Sequence, residues 1–200
     1  LSLTLLLTIG LAVLADDFVP LYYGPEYNQS ILPLILLLPG VVGFALARPI
    51  FSIGQGKGSL RKLIVATGTA SIMNLFLNLL FIPRYGVAGA AVATSLSYGS
   101  MAILHIMAAR HIGFDPIDDL RLPNILLVTI LSTPVMILVN SWIKAAILSL
   151  IIVPFVGFII YSALTLKLKI ISPEDIHRLA DKAPYPLNKY VKSASDILIK

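Results

Sequence analysis

Long apolar runs separated by short polar connections make up most of the chain. Stretches without Asp, Glu, Lys or Arg occur at residues 1–15, 27–47, 63–83, 85–109, 122–143 and 145–166. A hydrocarbon core about 30 Å thick requires about 20 helical residues, and the last five runs are each long enough to cross it. Lipid admits only helices and closed barrels. The pattern therefore predicts an all-α fold, a polytopic transmembrane helical bundle of about six membrane helices, the first of them truncated.

The composition supports this interpretation. The chain is 58% hydrophobic and only 12% charged, whereas an average soluble domain is about 25% charged. It contains no cysteine, which excludes disulfides and thiolate metal sites. The net charge of +5 is spread between the apolar runs, so membrane lipid is a predicted partner and nucleic acid is not.

Basic residues are distributed unevenly between the two sets of connections. Arg84 and Lys144 lie on one side. The other side holds twelve: Lys57, Arg61, Lys62, Arg110, Arg121, Lys167, Lys169, Arg178, Lys182, Lys189, Lys192 and Lys200. Cytoplasmic connections of membrane proteins are enriched in Lys and Arg. We therefore expect a multi-pass protein of the cell membrane with a cytoplasmic C-terminus and an outside loop at 16–30.

The chain changes character at Lys167, where the apolar runs end. We divide it into a transmembrane helical domain, 1–166, and a cytoplasmic tail, 167–200. The sequence SPED at residues 172–175 has the form of a helix start, with a capping serine, a proline and two acids. Apolar residues then recur at helical spacing from Ile176. The tail is predicted to form a short amphipathic helix on the cytoplasmic face.

Small residues follow the break between the third and fourth apolar runs. Pro83 is expected to end one helix and to begin a four-residue corner. The next helix then carries a face with almost no side chains, formed by Gly86, Gly89, Ala90 and Ala93. Small residues let helix backbones approach closely in lipid. This face is predicted to pack against a neighbouring helix.

Three sequence segments together resemble a known family. They are LYYGPEYNQS at 21–30, GQGKGSLRK at 54–62 and IPRYGVAGAAVATSLSY at 82–98. In this order they are similar to polysaccharide-biosynthesis membrane proteins, the lipid-linked oligosaccharide flippases of the multidrug/oligosaccharidyl-lipid/polysaccharide exporter superfamily. The resemblance covers roughly residues 1–166.

The resemblance carries functional expectations. It implies that the chain is the C-terminal half of a larger transporter, with the missing N-terminal half of the same protein as a partner. It also implies that the protein moves a polyprenyl-phosphate-linked glycan outward by alternating access between two helical bundles. A multidrug exporter of the same superfamily and a non-transporting membrane anchor or assembly subunit stay open as alternatives.

Arg48 is the only formal charge inside the apolar stretch 27–53. Charged residues within membrane segments are functional candidates by default. One interpretation is that Arg48 faces a water-filled cavity and attracts the pyrophosphate of a lipid-linked sugar. The other is that it snorkels to the cytoplasmic interface. The resemblance adds that the family's central cavities are cationic.

A polar stripe runs along the third apolar segment. Thr67, Ser71, Asn74 and Asn78 share one helical face. They could line a path for a sugar headgroup, but such stripes more often form interhelical hydrogen bonds, and we favour that packing role.

No enzyme or cofactor is predicted. The three histidines, His105, His111 and His177, do not have the spacing of a metal site. The sequence GQGKGS at 54–59 is too short for a phosphate-binding loop. No apolar segment contains Asp or Glu, so a carboxylate proton relay is not contained in these helices.

Overall fold

The chain is almost entirely helical. A computed structural model describes residues 1–118, 120–168 and 170. This part contains six α-helices and one short 3-10 helix, Pro25–Ser30, and no strand. The α-helices are α1 (Ser2–Val13), α2 (Ala15–Tyr23), α3 (Ile31–Gly56), α4 (Leu60–His111), α5 (Leu122–Trp142) and α6 (Ala146–Lys167). The predicted all-α fold is confirmed, and the predicted tail helix lies outside the described residues.

Four helical segments are long and apolar enough to cross a membrane: α3 with the preceding 3-10 turn, α4, α5 and α6. A fifth is possible if α1 and α2 together form one span, bent by 73°. The multi-pass membrane architecture predicted from the apolar runs is therefore confirmed.

The longest element, α4, is a hairpin. A straight helix of its 52 residues would be about 78 Å long, more than twice the hydrocarbon thickness. Gly86 interrupts it with φ 57° and ψ −134°, a conformation open to glycine because it lacks a Cβ. We call residues 60–85 the first arm and residues 87–111 the second arm; they match the third and fourth apolar segments.

Hydrogen bonds between the arms show that they run antiparallel. The closer a residue of the first arm lies to Gly86 in the sequence, the closer its hydrogen-bond partner on the second arm lies to Gly86. The three bonds join Lys62 to the His111 carbonyl, Thr67 to His105, and Asn74 to Thr94. The chain therefore reverses direction at one residue.

Two helix boundaries differ from those expected. The first arm continues through Pro83, which lies inside the helix. Proline removes one hydrogen bond and bends a helix, whereas the reversal needs the positive φ that Gly86 supplies. Likewise α3 continues through Arg48 and Pro49 to Gly56, because one charged residue can lie on an exposed helix face without ending the helix.

Residues 16–30, expected as an outside loop, are mostly helical. They form α2 and the 3-10 turn. Asp16 and Asp17 lie in the first turn of α2, where negative charge is favourable against the helix dipole. Val19 is 3% exposed. Asp16 and Asp17 are therefore typical both of a loop at the membrane edge and of the first turn of a helix, and the sequence pattern does not distinguish these two structures.

α3 packs closely against the second arm at two glycines. A Cβ added at Gly40 would lie 2.5 Å from the Ser95 Cα, and one added at Gly43 would lie 2.9 Å from the Tyr98 carbonyl oxygen. α3 and the two arms thereby form one packed unit. A separate apolar cluster joins α1, α5 and α6: Leu6, Leu14, Val128, Met136, Val153 and Tyr161.

The connection between α3 and α4 contacts the connection between α4 and α5 at one end of this three-helix unit. The Lys57 ammonium lies 4.8 Å from the centre of the Phe114 ring. Asp115 accepts a hydrogen bond from Arg110 at 2.7 Å. The Ile117 backbone N–H and then the Arg110 guanidinium lower the pKa of Asp115, so that carboxylate stays ionised at neutral pH. This arrangement agrees with the predicted topology, and which side of the membrane it faces stays a prediction.

Cysteine labelling tests the predicted orientation. The chain has no cysteine of its own, so Asn28→Cys and Ser59→Cys each introduce one target. We expect an impermeant maleimide to label Asn28→Cys on intact cells and Ser59→Cys only after permeabilisation, because basic connections stay in the cytoplasm. The reverse labelling pattern would contradict the predicted topology.

Gly89 is the glycine closest to the opposing backbone within the hairpin. A Cβ there would lie 2.4 Å from the Phe81 carbonyl oxygen. Gly89→Ala is expected to lower stability by about 1–3 kcal/mol through overpacking, measured as thermal unfolding in detergent. Gly68→Ala is the control: nothing lies within 4 Å of its Cβ position, and alanine favours a helix by up to about 1 kcal/mol. Equal stability of the two variants would contradict the close contact.

Candidate functional site

A small pocket opens between α3 and both arms of α4. Its volume is about 140 Å³, enough for several water molecules. Its walls include Phe44, Arg48 and Phe51 from α3, Thr67 from the first arm, and Met101 and His105 from the second arm. We call this the Arg48 pocket.

Arg48 is exposed and turns back along its own helix. Its guanidinium carbon lies 5.7 Å from the centre of the Phe44 ring, within the range of a cation–π contact. Phe44 is one turn nearer the N-terminus of α3. Snorkelling to the basic end would instead extend the side chain toward Gly56, where α3 ends. Because helical side chains lean toward the N-terminus of their helix, both interpretations of Arg48 stay predictions.

His105 is the polar residue of the pocket that sequence reasoning did not select. Its side chain is 2% exposed, and its Nε2 lies 3.1 Å from the Thr67 hydroxyl. The Thr67 hydroxyl also lies 3.0 Å from the Leu63 carbonyl and donates to it. The His105 Nδ1 is buried and has no hydrogen-bond partner among the described residues. Phe51 packs edge-on against the His105 ring.

The four residues of the predicted polar stripe lie in different environments. Only Thr67 reaches the Arg48 pocket. The Asn78 amide donates to the Asn74 carbonyl and to its side-chain oxygen, at 2.9 and 3.0 Å, and Asn74 reaches Thr94 at 3.5 Å. Ser71 is exposed and bonds to its own helix. Thr67 and Asn74 thus bond to the second arm, as the packing role expects, whereas Ser71 and Asn78 bond within their own helix; both roles of the stripe stay predictions.

The four residues predicted to pack against a neighbouring helix differ in how far they are buried. Gly89 and Ala93 are buried, and Ala93 is fully so. Ala90 is half-buried. Gly86 is exposed and forms the turn, with open space around its Cβ position. The small-residue pattern thus combines two roles, a turn and a close contact, which spacing alone does not distinguish.

The charge around the pocket is of one sign. α3 and α4 contain Arg48, Arg61, Lys62, Arg84 and Arg110 but no Asp or Glu. The complementary ligand for such a pocket is an anion. No cluster of His, Cys, Asp and Glu able to hold a metal ion is found among the residues that the structure describes.

Comparison with known proteins gives two relatives, one named as a glycan biosynthesis flippase and one as a lipopolysaccharide biosynthesis protein. The chain is 28% identical over 100 residues to the probable low-salt glycan biosynthesis flippase Agl15 of Haloferax volcanii, a match over 48% of this chain and 20% of that protein. It is 30% identical over 112 residues to the lipopolysaccharide biosynthesis protein WzxC of Escherichia coli K12, a match over 54% of this chain and 21% of that protein. No family model and no solved structure matches.

These matches confirm the family resemblance that the sequence segments carry. The chain fits a flippase family of polysaccharide and glycan biosynthesis, and it is a multi-pass membrane protein. The matched residues span about a fifth of the length of these curated relatives. A flippase is a transporter rather than a catalyst, which agrees with the expectation that the chain is not an enzyme.

Substitution of Thr67 tests the contact that holds His105. Thr67→Val keeps the side-chain shape but leaves the buried Nε2 without its partner, at an expected cost of about 1–3 kcal/mol. Thr69→Val is the matched control, because the Thr69 hydroxyl is exposed and bonds only to the Val65 carbonyl. Thermal unfolding in detergent measures both. A loss for Thr69→Val as large as that for Thr67→Val would argue against this contact.

Proposed function

We propose that the chain is part of a membrane transporter that flips polyprenyl-linked oligosaccharide across the cell membrane for polysaccharide or glycan biosynthesis. Two relatives named for glycan and lipopolysaccharide biosynthesis support the pathway. The apolar helices support a function within the bilayer. The observation that carries the proposal for this chain is Arg48, a cation in a pocket among helices that contain no acid.

Arg48 suits the charged part of such a substrate. Moving a phosphate from water into a membrane protein requires compensating charge. The planar guanidinium matches phosphate oxygens with two parallel hydrogen bonds. Its present contact, the Phe44 ring, is weak by comparison, and Arg48 forms no ion pair within the described part of the chain. The guanidinium is thus available to bind an anionic headgroup.

A second cavity supports a membrane-lipid partner. It measures about 830 Å³ and lies between α1, α2, α5 and α6. Its walls are apolar, and they include Leu7, Phe18, Met136 and Phe158. A hydrocarbon chain matches this lining. The Arg48 pocket beside α3 holds a cation and the cavity beside α6 is apolar, which suits the two unlike parts of a lipid-linked sugar.

The alternatives predict different chemistry. A multidrug exporter for cationic drugs needs acidic groups in its cavity, but α3, α4, α5 and α6 contain no Asp or Glu. A membrane anchor or assembly subunit needs no cation in a pocket. Arg48 therefore favours transport of an anionic substrate over both alternatives.

Arg48 substitution tests the proposal. We expect Arg48→Ala to lower glycan export by about tenfold or more, the effect of losing hydrogen bonds to a charged group. Arg48→Lys keeps the positive charge but loses the planar guanidinium, so its export should lie between that of the wild type and that of Arg48→Ala. Export is measured in cells at matched membrane abundance.

The control for Arg48 is another exposed arginine of the same unit. Arg84 lies beside the hairpin turn and does not line the pocket, so Arg84→Ala should export normally. Full export by Arg48→Ala would remove the pocket from the proposal, and an equal loss in Arg84→Ala would point to a general charge effect.

A further inference from the structure

The neutral imidazole ring of His105 can accept one more proton. We assign the hydrogen in the contact between Thr67 and His105 to Nε2, because the Thr67 hydroxyl then donates its only hydrogen to the Leu63 carbonyl. A neutral imidazole carries one ring hydrogen, which leaves Nδ1 as a bare lone pair. That nitrogen is buried and unpartnered. It is a proton acceptor that the packing of the hairpin does not use.

The charged groups of the surrounding helices are all basic. α3 contributes Arg48, which lines the same pocket. The first arm contributes Arg61 and Lys62 near its start, and the second arm carries Arg110 and His111 near its end. Because no acid lies on these helices, an imidazolium at His105 has no counter-charge there. A buried charge is costly unless it is paired.

An anion in the pocket changes this balance. A phosphate group beside Arg48 would supply the missing negative charge for a second cation, on His105, which lines the same pocket. We propose that His105 takes up a proton at Nδ1 when a phosphate-bearing lipid headgroup binds in the Arg48 pocket. The proton comes from solvent and no covalent bond of the ligand changes. This inference rests on the proposed function, because the ligand is the diphosphate part of the carrier-linked sugar.

Linkage makes the effect reciprocal. If the anion favours the proton, the proton must favour the anion by the same factor. Affinity for the headgroup should therefore rise as pH falls through the range in which histidine titrates. Such coupling would let the proton concentration on each side of the membrane decide where the substrate is bound tightly. No carboxylate is needed for it.

A short-chain prenyl diphosphosugar is the probe. Both of its phosphates are esterified and keep a constant charge between pH 6 and about 8, unlike a terminal phosphate, which titrates near pH 6. Titration calorimetry on the protein in nanodiscs, in two buffers of different ionisation enthalpy, measures protons taken up per ligand bound. We expect uptake of about half a proton per ligand bound, averaged between pH 6 and pH 8, which by linkage corresponds to roughly tenfold tighter binding at pH 6 than at pH 8. The uncharged prenyl alcohol should show neither effect.

Two histidine variants assign the proton. His105→Gln places an amide N–H within reach of Thr67 but cannot take up a proton in this range, so it should bind the probe without proton uptake and with no pH dependence. His111→Gln is the matched control, since His111 is exposed on the same arm, and it should retain the uptake. If His105→Gln does not fold, uptake that survives both His111→Gln and His177→Gln still assigns the proton to His105, the third of the chain's three histidines.

The outcomes separate this inference from the proposed function. Binding without proton uptake in the wild type, or unchanged uptake in His105→Gln, overturns the role of His105. No binding of the probe overturns it as well. Export of lipid-linked glycan is assayed in parallel: export without linked proton uptake overturns only the inference. Linked proton uptake without export overturns the proposed function and leaves the binding linkage in place.

Discussion

The reversal at Gly86 is the constraint on which the candidate site depends. A single residue with positive φ turns a 52-residue helix into two antiparallel arms. The residues of the first arm are thereby matched with those of the second, and Thr67 meets His105. α3 then seals the third side through Gly40 and Gly43, which meet backbone atoms of the second arm. Without the reversal, Thr67 and His105 would be about 57 Å apart along one straight helix.

About six membrane helices are expected from the sequence, and four to five helical segments of the described part are long and apolar enough to cross. The sequence predicts the type of these elements well, because the cost of unpaired backbone groups in lipid leaves few options. It predicts their ends less well. Charge marks the membrane edge and not the end of a helix, so α3 runs past Arg48 to Gly56 and the residues after Asp16 are helical. Pro83 likewise bends without reversing the chain.

The site is only partly accessible from sequence. Arg48 stands out because it is a lone charge in an apolar run. His105 does not, because a histidine near a helix end has no distinguishing neighbour in sequence. A usable signal existed: Thr67 and His105 are equally distant from Gly86 in the chain, so identifying Gly86 as the point of reversal would have paired them. The corner expected from the sequence begins at Pro83, so its centre lies before Gly86. The two arms are then paired with a different offset, and Thr67 is not matched with His105.

The asparagine pair in the first arm has a consequence for biogenesis. The Asn78 side-chain NH₂ donates within its own helix, to the carbonyl and the side-chain oxygen of Asn74. Only the bond from Asn74 to Thr94 requires the second arm. Because the ribosome makes the first arm earlier, that arm can satisfy the Asn78 NH₂ group before its partner emerges. The second arm then enters the bilayer beside a helix whose partners for it, Thr67 and Asn74, are seven residues apart and share one face, which fixes the face on which it docks.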